Sequence, residues 1–393
     1  MKIAIVGTGI AGLVCASLLH QEHDITVYEA NDYLGGHTHT VKTASGHGVD
    51  TGFIVFNEQN YPNFSGLLTS LGVKSQPTTM SFSVRDDAAK LEYSTASLNQ
   101  LFAQRSNLFK PSYYRMLCDI LRFNREAQKT VSDVDEEMTT SEYLRRHHYS
   151  EVFVRHFFYP ISTALWSCPL EKVEDFPIRF ILEFYLHHGM HKMMSMPVWR
   201  TIIGGSSTYV EKLIGPFRER VKLSNPVRAI HRTLDGVDLT TGRETVNYDE
   251  VIMACHSDQS LRILGGQASW TEKELLGAFP YSKNAVTLHT DTSMLPRLRR
   301  AWGCWNYHLY PRHVERATVT YNMNLLQRLE AEQTYCVSLN QDDAIDQRRV
   351  IRHLQYDHPL FTLQRASLQQ RHHELIRRNR TSFCGALLGQ WLP

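Results

Sequence analysis

The chain has 393 residues, 42% of them hydrophobic and 21% charged, enough for two domains or for one nucleotide-binding domain with a large insertion. A net charge of +2 is too small to steer nucleic acid over the whole surface, and the basic runs RLRR (297–300) and RRNR (377–380) read as solvated surface. No window approaches the roughly 18 apolar residues of a spanning helix. The seven cysteines are scattered without a C-x-x-C pair and the paired histidines lack carboxylates at ligand spacing, so no metal site is expected and a reduced, cytoplasmic protein fits best.

The first predicted element is a strand over Lys2–Val6, which begins at once and leaves no signal peptide to expect. GTGIAG follows, then the helical run LVCASLLH, then a second strand, ITVYEA, reaching Glu29. Strand, glycine turn, helix, strand and acid together are the pattern of a dinucleotide site. Gly7 permits the tight turn, Gly9 lets backbone N–H groups approach a pyrophosphate, and Gly12 lets helix and strand pack closely. Gly7, Gly9, Ala11 and Gly12 are therefore candidate cofactor contacts. The helix N-terminus adds partial positive charge for the phosphates. Glu29 lies 22 residues past Gly7, where a carboxylate accepts both ribose hydroxyls and repels the extra phosphate of NADP.

Six residues on, a second glycine pair, Gly35 and Gly36, offers another loop to press against the pyrophosphate, and GVDTGF (48–53) follows. Here the chain resembles the superfamily of FAD-dependent amine oxidases, phytoene-type desaturases and protoporphyrinogen oxidase, and within it a bacterial amine-oxidase-like branch. That superfamily carries an acid, a glycine pair and a basic residue at this spacing, then an Asp-x-Gly motif. The resemblance implies FAD as cofactor, with contacts extending to His37, Thr51 and Gly52. It also implies an α/β fold: a Rossmann-type FAD-binding domain, discontinuous in sequence, with an inserted α+β substrate domain. Amine oxidases usually carry arginine where this chain has His37, which donates one hydrogen bond but brings no fixed charge.

Residues 1–65 form the first FAD-binding part on this reading, and 66–198 a mostly helical insertion rich in aromatics and methionine. A helical core explains that composition. An apolar channel for a lipid-like substrate, with Met193, Met194 and Met196 in its wall, is a second reading, and contact with a membrane surface a third. WRTIIGGSSTYVEKL (199–213) resembles the Gly-Gly segment that opens the second FAD-binding part, 199–260. A meander of short strands follows, in which the resemblance implies that Val227 lends its backbone to the adenine.

Residues 261–375 read as a mixed substrate-domain sheet, with strands over 284–291, 302–310, 317–324 and 334–339. Trp305, Tyr307 and Tyr321 are candidates to face the substrate opposite the flavin, or are ordinary core. Lys283 is offset from the lysine that amine oxidases often place near the flavin, and is assigned no role. Residues 376–393 begin a third FAD-binding part that includes Gly385. The family pattern holds through Phe383–Ala386 and is then replaced by LLGQWLP. A one-base shift of reading frame converts that tail into the family's Tyr-Trp-Gly-x-Gly-Phe, so a truncation or frameshift after Ala386 is expected.

The function expected is transfer of a hydride from a C–N or C–C bond of a small, apolar or lipid-like molecule to FAD, then to oxygen or another acceptor. A true amine oxidase and a non-catalytic FAD-binding protein are the alternatives. No catalytic acid or base is identified, because a flavin carries its own chemistry.

Overall fold

A computed structural model describes residues 1–166, 170–190, 197–310, 318–360 and 365–385. Met193, Met194, Met196 and the tail from Ala386 onward lie outside these residues.

The N-terminal pattern folds as expected: strand β1 (Lys2–Val6), helix α1 (Ile10–Leu19) and strand β2 (Asp24–Tyr28). β1 is central in a five-stranded parallel sheet ordered Val221–Lys222, β2, β1, β3 (Glu250–Met253) and Thr381–Phe383. In register, Ile3 lies between Ile25 and Glu250, and Met253 pairs with Phe383. Both faces of such a sheet are covered, so its strands read as continuous apolar runs, and Ala4, Ile5, Val27 and Val251 are fully buried. Its strands come from stretches more than a hundred residues apart, so the site at their ends is assembled from the whole chain.

The predicted meander forms as an antiparallel sheet of Val227–Arg232, Val237–Thr241 and Thr245–Tyr248. A buried ion pair fixes it. Arg232 meets Glu272 side by side, at 2.6 and 3.1 Å, with side chains 7% and 3% exposed. Glu272 also closes a capping box with Ser269 at the start of the helix Trp270–Gly277. Burial pushes the Glu272 carboxyl up, but Arg232 and the Ser269 amide outweigh it and hold it below its ordinary range.

A seven-stranded sheet makes the second layer. Its edge is β5 (Val350–Pro359), beside β4 (Tyr281–His289), then Cys336–Leu339, Val319–Asn322, Trp305–Leu309, Phe82–Asp86 and Leu91–Ser94. The last two come from the stretch expected to be mostly helical. Phe82–Asp86 pairs with Trp305–Leu309, more than two hundred residues away, a partner no local pattern announces, and Leu91–Ser94 folds back on it as a hairpin. Helices do dominate the rest of that stretch. The longest, Pro111–Thr130, buries Tyr113, Met116, Phe123 and Ala127 along one face at helical spacing. Phe123 packs edge-on against Phe158 and Tyr185, each 5.3 Å away. Among the described residues no helix is long and apolar enough to cross a membrane.

Arg232→Ala strands the Glu272 carboxylate in the interior and is expected to cost about 3–5 kcal/mol. R232M/E272L, which removes both charges and keeps volume, is expected to unfold in urea at a higher midpoint than R232A.

Candidate cofactor-binding site

The site sits at the carboxyl ends of β1, β2 and β3, where open parallel sheets leave a crevice. Gly7 continues β1 and donates to the Tyr28 carbonyl at 2.8 Å. Gly9 then caps α1 with no side-chain bond and no acid in the first turn, so the helix's first amides stay free. Ala11 lies half-buried in that turn. A Cβ on Gly12 would fall 2.0 Å from the Gly7 carbonyl oxygen, which explains glycine there.

The second loop closes on the first. Gly35 donates to the Thr8 carbonyl at 3.1 Å and bridges to Gly9 in parallel fashion. Gly36 has φ +61°, and a Cβ on it would stand 3.2 Å from the Gly9 Cα, so the two loops form a cradle that side chains would fill. On Gly9 itself a Cβ meets nothing within 4 Å, which leaves that side of the turn open to a ligand.

Glu29 is buried just beyond β2. Its Oε2 accepts from the Thr8 amide at 3.0 Å and the Thr8 hydroxyl at 2.5 Å, and its Oε1 from the Asn31 amide at 2.9 Å. Lone pairs remain for hydroxyl donors. The Asn225 amide donates to the Glu29 carbonyl at 2.8 Å, while the buried Asn225 Oδ1 has no partner among the described residues. Val227, two residues on, opens the meander and is buried. Gly385 follows the last strand, where the Cys384 amide bonds the Met253 carbonyl at 3.0 Å. Free amides, an open glycine turn, a carboxylate with spare capacity and an orphaned amide oxygen fit a dinucleotide.

His37, Thr51 and Gly52 belong to the same loop system. The His37 carbonyl accepts from the Phe53 amide at 2.8 Å and would lie 2.1 Å from a Cβ on Gly52. The Thr51 hydroxyl bonds the His39 carbonyl at 3.0 Å and the Tyr356 hydroxyl at 2.8 Å. Trp305, Tyr307 and Tyr321 lie elsewhere, on the seven-stranded sheet. Trp305 stands edge-on to Tyr321 at 5.0 Å, within the apolar cluster shared with the helices.

Sequence reasoning missed Asp50, first residue of the Asp-x-Gly motif. It is fully buried. Its Oδ1 accepts from the Thr40 hydroxyl at 2.5 Å and from the Ser206 amide and hydroxyl at 2.8 and 2.9 Å. Its Oδ2 accepts from Gln327 Nε2 at 2.9 Å, and its own amide donates to Gln327 Oε1 at 2.8 Å. Burial pushes the carboxyl up to about 6 against the pull of Thr40 and Ser206, which leaves it ionised at neutral pH. His256 and His358 were also missed. The first sits in the run ACHSDQ directly after β3, and the second lies more than a hundred residues further along.

Fold and site together define a flavin-dependent oxidoreductase of the α/β dinucleotide-binding type. The chain belongs to the flavin containing amine oxidoreductase family, whose model matches residues 10–284. A 15-cis-phytoene desaturase from Synechococcus elongatus is 38% identical over 77 residues, 19% of this chain and 16% of the desaturase's length. Cyclohexylamine oxidase from Brevibacterium oxydans superposes with a TM-score of 0.68 at 15% identity, over 98% of this chain and 93% of that one. A CLA-producing fatty acid isomerase from P. acnes superposes with a TM-score of 0.65, also at 15% identity and over the same shares of the two chains. The cofactor of the family is FAD, and the protein is an FAD-dependent oxidoreductase.

Asp50→Asn turns an amide NH₂ toward the Gln327 NH₂ and is expected to cost about 1–3 kcal/mol. Gln327→Glu alone sets two carboxylates together and is expected to cost at least as much. Combined, D50N/Q327E restores donor to acceptor, so a urea double-mutant cycle should show strong favourable coupling.

Proposed function

We propose that Gly7, Gly9, Ala11 and Gly12 receive the pyrophosphate of FAD, that Glu29 takes its ribose hydroxyls, and that Gly35, Gly36, His37, Thr51 and Gly52 close over it. On this reading Val227 lends its backbone to the adenine end, and Gly385 borders the flavin end. When bound, FAD supplies the hydride acceptor. The chain's own residues hold it with the free amides of α1, orient it between the two glycine loops, and exclude water.

The substrate we propose is apolar or lipid-like with one hydrogen-bond acceptor, and its C–C bond is oxidised to a double bond, with the hydride of one carbon going to FAD and the proton of its neighbour to solvent; the electrons then pass to oxygen or another acceptor. One observation carries this. Trp305 Nε1 is buried with no partner among the described residues, within an apolar cluster built from Phe, Tyr, Leu and Val side chains. An orphaned buried donor costs about 1–3 kcal/mol, which a ligand oxygen would recover. A phytoene desaturase and a fatty acid isomerase among the similar proteins support the apolar reading. The family model and the cyclohexylamine oxidase support a C–N bond as the second reading.

Peripheral contact with a lipid surface fits the same proposal. Leu98 and Phe109 are 78% and 86% exposed, and Leu108, Tyr114 and Leu121 are also exposed, with Arg105 and Lys110 close to Phe109 in sequence. Co-sedimentation with anionic lipid vesicles is expected for the wild type and is expected to fall severalfold in Phe109→Asp.

Anaerobic mixing with long-chain unsaturated acids is expected to bleach the flavin absorbance near ~450 nm, and to do so faster than amines or polyene hydrocarbons that lack an acceptor. Trp305→Phe should raise KM about 5- to 30-fold with kcat little changed, matching one lost hydrogen bond. Bleaching by amines alone would overturn the apolar substrate and keep the oxidoreductase.

A further inference from the structure

Three histidine rings meet beside the glycine turn, brought there by three unrelated elements. His37 follows the Gly35–Gly36 pair. His256 precedes the helix α2 (Ser257–Leu264) directly after β3, and His358 lies near the end of β5. The His37 ring is 5.7 Å from that of His256 and 5.5 Å from that of His358. All three are half-buried. His256 stacks on Tyr281 at 4.5 Å, and the Tyr356 ring stands edge-on to His37 at 5.1 Å.

Their nitrogens are poised to donate. The Asn284 amide NH₂ donates to His358 Nδ1 at 3.0 Å, since Asn284 Oδ1 already accepts from Asn340; the His358 proton therefore sits on Nε2. His256 Nδ1 is buried without a partner among the described residues. The charged and titratable groups facing the cluster are Asp357 from β5, Asp258 and Arg262 from α2, Tyr281 from β4 and Tyr356 from β5. Arg262 is already paired with Asp258 at 2.9 Å. Arg352, also on β5, acts on His39 and Tyr356. Among the described residues no grouping of His, Cys, Asp or Glu suits a metal ion.

We propose that His37, His256 and His358 form one cradle for the pyrophosphate of FAD, with His358 donating its Nε2–H and the pair His37 and His256 taking up a proton when the cofactor binds. The inference rests on the placement of FAD at the glycine turn argued above. Without an anion nearby the rings are neutral: burial, then repulsion from His358 and His256, holds His37 at about 3, and burial, then His256, holds His358 at about 4. Burial likewise lowers His256. The α1 N-terminus contributes only about half a positive charge against the two negative charges of a pyrophosphate. Bringing that dianion into the cleft reverses the balance at His37 and His256 and favours their charged forms. Mutual repulsion limits the uptake to about one proton for the pair. The sign is then fixed: binding tightens as pH falls.

FAD itself does not titrate between about pH 5.5 and about pH 8.5, so the linkage is read directly from the protein. With the full chain, Kd followed by flavin fluorescence is expected to weaken up to about tenfold per pH unit within this window. Calorimetry in two buffers of different ionisation heat should return an uptake of about one proton. H37Q and H256Q keep a hydrogen-bond donor but hold no charge, and each should flatten the pH profile, whereas H358Q, which replaces a ring fixed as a neutral donor, should weaken binding and leave the slope. H37R, with a permanent charge, should bind tightly with little pH dependence. Saturable binding with no proton uptake in the wild type, which requires no variant, overturns the cradle and leaves the FAD placement standing. Absence of FAD binding at every pH by a folded chain overturns both.

Discussion

One buried carboxylate organises the site. Asp50 gathers the Thr40 hydroxyl, the Ser206 amide and hydroxyl, and the Gln327 side chain around two oxygens with no access to water. Those partners belong to three stretches of chain: the second glycine loop, the Gly204–Gly205 segment, and the turn following the strand Val319–Asn322. Hydrogen bonds from ionised groups are the strong ones, and a buried charge without them is too costly to keep. The carboxylate therefore fixes the position of all three relative to one another. The loop that carries Gly35, Gly36 and His37 is anchored through it to the start of the helix Ser207–Ile214 and to the turn that follows a strand of the seven-stranded sheet.

How much of this was legible follows from the range of each interaction. The glycine turn, α1 and Glu29 lie within thirty residues, and each leaves a local mark: a small residue where backbones meet, an acid at a strand end. The meander was legible for the same reason, from the turn at Asp235-Gly236 and the alternation around it. Phe82–Asp86 was not, since its alternating pattern says only that one face is buried, and its neighbour is Trp305–Leu309. Asp50 was visible as a motif residue but its function was not, because three of its four donors lie more than 150 residues away. His358 carried no local signal at all.

The aromatic side chains show the limit in another way. Trp305 and Tyr321 were singled out from composition as wall or core, and they sit in the apolar cluster that joins sheet and helices. Composition cannot tell a satisfied indole from an orphaned one. Only the missing partner of the Trp305 N–H separates packing from a place where a ligand atom would fit.

The same reasoning explains why histidine stands where related oxidases usually have arginine. A guanidinium at position 37 would lie against the His256, His358 and Tyr356 rings, and of the two carboxylates that face the cluster Asp258 is already paired with Arg262. Before the cofactor arrives, that permanent charge would be partly desolvated against three rings, which is unfavourable. Neutral imidazoles avoid it. They leave this region without added positive charge before the cofactor binds, beside a loop held through Asp50. Charge then develops at the rings only when an anion is present to pair with it, so the chain gives up some affinity at high pH and keeps a site that folds without its ligand.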